Sequence, residues 1–171
     1  MQLFLRQIRK SKWYRHEGVS WLPEDELQAD TLDDLHTTDN AMSVWFVADD
    51  RSNINDIVCA LAAGRDSLAN LDFALFDVEI ALSLEIPTKS TFGATLDEKV
   101  NEWRRELVHL TARKLLDLAK AISSTGQICR ISKKNITELV REAVKSRKVD
   151  PAKLSDGVLN GIGISKSKPQ S

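Results

Sequence analysis

The chain has 171 residues, 42% of them hydrophobic and 29% charged, with 24 Lys and Arg against 25 Asp and Glu for a net charge of −1. A chain of this size suits one domain and hides roughly 70% of its unfolded surface, so the composition excludes a disordered polymer. No apolar run reaches the roughly 18 residues that a bilayer crossing needs, and the first residues place apolar before basic, the reverse of a signal peptide. The expectation is therefore a cytoplasmic protein with no membrane contact. Cys59 and Cys129 stand far apart in apolar patterns, which reads as small buried hydrophobes in a reducing compartment.

Leu3, Phe4, Leu5 and Ile8, with long polar residues between them, predict a first strand over 2–9. Trp13, Tyr14 and Trp21 follow in a loop-like stretch. Pro23 with acids behind it, and Thr31 followed by Asp34, predict one or two short helices over 23–36. Residues 42–48 are apolar on both alternating faces and end at Asp49 and Asp50, as a central strand does. Asn53 resembles a helix cap, Ile54, Ile57, Val58 and Leu61 make one helical face, and Gly64 is a stop, so a helix is predicted over 54–63.

Between Ala74 and Ile86 every even position is apolar, while Asp77, Glu79, Ser83 and Glu85 fall on odd ones. That alternation predicts a strand over 73–86 with one wet face, long enough to admit a bend or a partly helical outcome. Thr95, Leu96, Asp97 and Glu98 form a capping box. It opens a series of apolar residues, Leu96, Val100, Trp103, Leu107, Leu110, Leu115, Leu118 and Ile122, spaced for one long helix over about 96–123. At 1.5 Å per residue that helix would be about 40 Å long. A short strand over 127–131 follows. Asn135 to Glu138 form a second capping box, opening a helix with Lys145, Arg147 and Lys148 at its end. A last short helix runs from Asp150-Pro151 to Leu159. The fold expected is α+β: a small, mostly antiparallel sheet of three or four strands, packed by one long helix (about 96–123) and two or three shorter helices. It forms a single domain over 1–160 with a flexible tail over 161–171.

The even charge total conceals a division. Residues 1–20 carry five bases and one acid, residues 21–60 ten acids and one base, and residues 101–171 fifteen bases and seven acids. Oppositely charged segments either pair within the molecule or present surfaces that select charged partners. The expectation that follows is a non-enzymatic protein-interaction module, such as an accessory or neutralising partner of the immunity or antitoxin kind for a basic protein. Its contact would be Trp13, Tyr14, Trp21, Asp30, Asp33 and Asp34, since loop aromatics flanked by charge are the residue types enriched in interfaces.

Two alternatives have their own residues. Lys133, Lys134, Arg141, Lys145, Arg147 and Lys148 gather in a helical segment over 133–153 that could lie against phosphates, although no aromatic is interleaved to stack a base. Asp49 and Asp50, after a buried strand, stand where carboxylate-metal hydrolases and nucleases carry ligands. The acid-x-lysine pattern of that chemistry is missing at Glu79, and Asp49 to Ser52 read more readily as the turn before a helix. Catalysis has no positive signature: there is no nucleophile elbow, no zinc spacing among His16, His36 and His109, and no glycine in the strand-to-helix turn at 49–53 to cradle a phosphate. No cofactor or resident metal is expected.

Overall fold

The computed structural model describes residues 2–13, 21–23 and 26–164. Six strands form one sheet: β1 (Leu3–Ile8), β2 (Met42–Val47), β3 (Leu71–Asp77), β4 (Thr88–Ser90), β5 (Arg104–Leu107) and β6 (Gln127–Ile131). Their order is β4-β5-β2-β1-β3-β6, and every neighbouring pair is antiparallel. The fold is α+β, as the alternating and helical periods imply.

Strand β1 is central because both of its faces are apolar. Leu3 and Leu5 enter one core with Trp45, Val47, Phe73 and Leu75. Phe4 and Ile8 enter a second core on the opposite face with Met42, Val44, Ala74 and Phe76. Phe4 is paired in register with Phe46 on one side and Phe76 on the other, with ring centroids 6.5 and 5.8 Å away. Cross-strand aromatic contacts of this kind fix register, since a slip of one residue would send each ring to the wrong face.

Helices cover both faces. The first core is closed by α1 (Ile54–Ala63), α5 (Lys133–Lys145) and α6 (Asp156–Ile162), with Val100 of α3 (Glu98–Asn101). The second is closed by α2 (Val78–Ser83), α4 (Ala112–Thr125) and a 3-10 helix, Ala29–Leu35, whose Leu35 is fully buried. No helix among the described residues is long and apolar enough to cross a membrane.

Several elements match their sequence signals: β1, β2, β6 and α1 lie where the apolar periods put them. The long helix over 96–123 is corrected. The segment is three elements, α3, β5 and α4, and β5 pairs with β2 and β4 in the sheet. Asn101, 3% exposed, breaks the helix. Its Oδ1 accepts from Thr95 N at 2.8 Å and Thr95 Oγ1 at 2.7 Å, and its Nδ2 donates to Thr95 O at 3.0 Å. The helix cap is Asp97, which accepts from the N–H groups of Lys99 and Val100. His109, at φ 58°, turns the chain into α4, where Thr111 caps by accepting from Lys114 N.

The segment 73–86 divides at Asp77, whose carboxylate accepts from Glu79 N and starts α2. Beyond that point Ala81 is buried and Leu82 is 57% exposed, so the alternation does not continue. The cap of α5 is Ser132, accepting from Asn135 N, so the helix starts before the predicted box. The packed chain also runs past residue 160, because Ile162 is 3% exposed within α6. Residues 165–171 of the expected tail lie outside the described residues.

Candidate interaction surface

The acidic segment is held to the sheet by the basic residues that precede it. Arg6 projects from β1 into the second core, and its burial pushes the guanidinium pKa down against the opposing attraction of Asp34. Its Nε and Nη2 donate to the carbonyl of Asp34 at 3.1 and 3.0 Å, and its Nη1 donates to Ser43 O at 2.8 Å. The Asp34 carboxylate accepts from Arg9 N at 2.7 Å and from Trp13 Nε1 at 2.9 Å. Asp33 pairs with Lys12 at 2.7 Å, and the Thr31 hydroxyl donates to Lys12 O at 2.7 Å. A buried donor left unpaired costs about 1–3 kcal/mol, so these contacts fix the 3-10 helix Ala29–Leu35 in place.

The six residues expected to form a protein contact therefore separate. Trp13 is 7% exposed and belongs to the second core, which corrects its place as a surface anchor. Asp34 is turned inward to serve it. Asp33 is exposed but paired with Lys12, whose hydrogen bond is the main reason its carboxyl titrates below the usual range. Tyr14 lies outside the described residues. Trp21 and Asp30 remain on the surface, and Trp21 is 74% exposed. Leu22 beside it is 8% exposed, and Glu26 pairs with Lys120 of α4 at 3.2 Å. The indole faces water next to a buried residue, Leu22.

The basic segment over 133–153 is also divided. Ile136, Val140 and Ala143 face the first core. Arg141 Nε donates to Ile162 O at 3.3 Å, Lys145 pairs with Glu142 at 2.8 Å, and Lys148 pairs with Asp56 at 2.9 Å, which raises the Lys148 pKa. Lys133, Lys134 and Arg147 make no ion pair among the described residues. Glu138 and Glu142 are interleaved on the same helix, so the exposed face is mixed in sign.

The turn after β2 is built by a residue that the sequence suggested only as a cap. Asn53, buried, accepts from Ala48 N at 2.9 Å and donates to Phe46 O at 3.1 Å, tying α1 back to the strand. Asp50 accepts from Ser52 N at 3.0 Å, the main cause of its lowered pKa, and Asp49 is exposed beside it. No group of three His, Cys, Asp or Glu among the described residues is placed to hold a metal ion. Arg51, with φ 60°, reaches Gln127 at 3.2 Å, and both line a cleft of about 430 Å³ with Leu3, Leu75 and Ile80. The thiol of Cys59 is pushed up to about 11, chiefly by burial.

No protein-family model, curated protein or solved structure matches this chain.

Proposed function

We propose that this chain is a non-enzymatic protein-binding module, an accessory or neutralising partner for a basic protein, and that Trp21 with Asp30 forms part of its contact. The observation that carries the reading is the exposed indole of Trp21, set beside the buried Leu22. Tryptophan supplies much of the energy of interfaces. Asp30 and Asp39 add exposed carboxylates that make no ion pair among the described residues, which favours a basic partner.

The test is capture of proteins from a lysate by the wild-type chain and by Trp21→Ala and Asp30→Lys, with identification of what is retained. The reading expects a basic protein whose retention falls at least tenfold in Trp21→Ala and is preserved in Lys134→Glu. Equal capture by wild type and Trp21→Ala overturns it. A salt-sensitive shift of DNA or RNA that Lys133→Ala and Lys134→Ala abolish would favour the basic helical segment instead.

A further inference from the structure

The two edges of the sheet are treated differently. Edge β4 is three residues long, fully exposed, centred on Lys89 and preceded by Pro87. Short length, a charge and a proline are the devices that keep a sheet edge from pairing with another chain. Edge β6 has five residues, and Ile128, Cys129 and Ile131 are incompletely buried on it. Its one charge does not guard it. Arg130 folds back over its own sheet and holds Asp72 of β3 through two hydrogen bonds, at 2.7 and 3.0 Å. That pair lowers the Asp72 pKa. Strand β6 pairs with β3 alone. Its outward N–H and C=O groups therefore have no ladder partner among the described residues.

Beside this edge runs a groove of about 300 Å³ bordered by Ile131 of β6, Asn55 of α1, and Asn135, Glu138, Leu139 and Glu142 of α5. It offers an apolar floor, two amides and two carboxylates. Glu142 has Lys145 near it, and Glu138 has no ion pair among the described residues. A strand added to β6 would direct alternate side chains to the helix-covered face that carries this groove.

We infer that β6 is a docking edge for an extended, basic segment of a partner protein, which pairs with the strand and sets a Lys or Arg side chain against Glu138. The outward backbone of β6, without a ladder partner among the described residues, supplies affinity without sequence preference, and Glu138 supplies the charge preference. The inference rests on the reading of the chain as a binder of a basic protein and adds a contact separate from Trp21.

The probe is a labelled octapeptide of alternating Val and Lys. Two controls accompany it: the same peptide N-methylated at alternate residues, and a Val and Glu octapeptide. Binding is read by anisotropy and by amide hydrogen exchange of residues 127–131. The Val-Lys peptide should bind and slow exchange of the outward amides of β6 at least tenfold. N-methylation should abolish binding, and the Glu peptide should bind at least tenfold more weakly. Glu138→Lys, a surface change that leaves the fold intact, should weaken the Val-Lys peptide at least fivefold.

Trp21→Ala should leave this peptide unaffected, so loss of the Trp21 contact and loss of the edge contact are read separately. No protection at 127–131 under saturating peptide overturns the inference, as does equal binding of the N-methylated or Glu peptide. Protection already present in the free chain, removed by dilution or by deleting residues 165–171, would mean that a second copy or the chain's own end fills the edge, and also overturns it.

Discussion

The carboxylate of Asp34 accepts the indole N–H of Trp13 at 2.9 Å and, through the same oxygen, the backbone N–H of Arg9. One acid of a segment that looks like a surface patch thus completes the polar requirements of a core tryptophan. Replacing Asp34 with Ala strands the indole donor of Trp13, while the exposed Arg9 N–H can turn to water, and should lower unfolding stability by about 1–3 kcal/mol. Urea unfolding followed by tryptophan fluorescence measures it. Asp30→Ala, exposed in the same 3-10 helix, should change stability by less than about 0.5 kcal/mol.

The tryptophans make opposite predictions. Trp13→Ala removes a 7% exposed ring and should cost about 3–5 kcal/mol. Trp21→Ala removes one that is 74% exposed and should be neutral within about 0.5 kcal/mol. Acrylamide quenching of native fluorescence should fall in the Trp21 variant, because the most accessible indole is gone.

Acid should act through Asp72. Its pKa is lowered first by the hydrogen bond from Arg130, with Lys10 N also donating to it at 2.9 Å. A carboxyl whose folded pKa lies below its unfolded value of about 3.9 adds stability above that value, and this is lost as pH falls through the folded pKa. Urea midpoints should therefore drop as pH falls below about 4. The drop should be shallower in Asp72→Asn, which has no proton to take up at this site.

Thiol reactivity should separate the two cysteines. Burial raises both pKa values, that of Cys59 to about 11 while it sits 6% exposed within the first core, and that of Cys129 on the edge strand β6. At pH 8 a thiol reagent should modify Cys129 slowly and Cys59 only after denaturation. Mass spectrometry of the labelled chain distinguishes them, and early labelling at Cys59 would contradict its placement.

Asn101→Ala should destabilise by about 2–3 kcal/mol, since it removes three hydrogen bonds to Thr95 from a site 3% exposed. Denaturant unfolding tests this. The same residue explains why the sequence misled over 96–123. Val100, Trp103, Leu107 and Leu110 keep helical spacing, but the spacing is sparse enough for one turn of helix, a bend and a four-residue strand to satisfy it as well. What decides between them is the Asn101–Thr95 contact and the left-handed backbone at His109, a conformation no helix interior accepts. Both are local polar features carrying no hydrophobic period.

Where a segment is apolar on both faces, as in β1 and β2, or keeps one clean helical stripe, as in α1, the pattern was sufficient. Of the candidate surface, Trp13 and Trp21 read alike as loop aromatics amid charge, and the sequence did not separate the exposed ring from the buried one. The burial of Trp13 was not legible, because it depends on the long-range reach of Asp34 and Arg6. Nor was the edge position of β6, since strand order follows from pairings that five residues do not specify alone.

The position of β1 bears on how the molecule is made. It is the first strand of the chain and lies between β2 and β3, with β5 and then β4 beyond β2, and β6 beyond β3. During synthesis the central strand therefore precedes both of the strands that pair with it. Each of β2, β3, β5 and β6, on leaving the ribosome, finds an already placed neighbour to dock on, and only β4 has to wait for its successor.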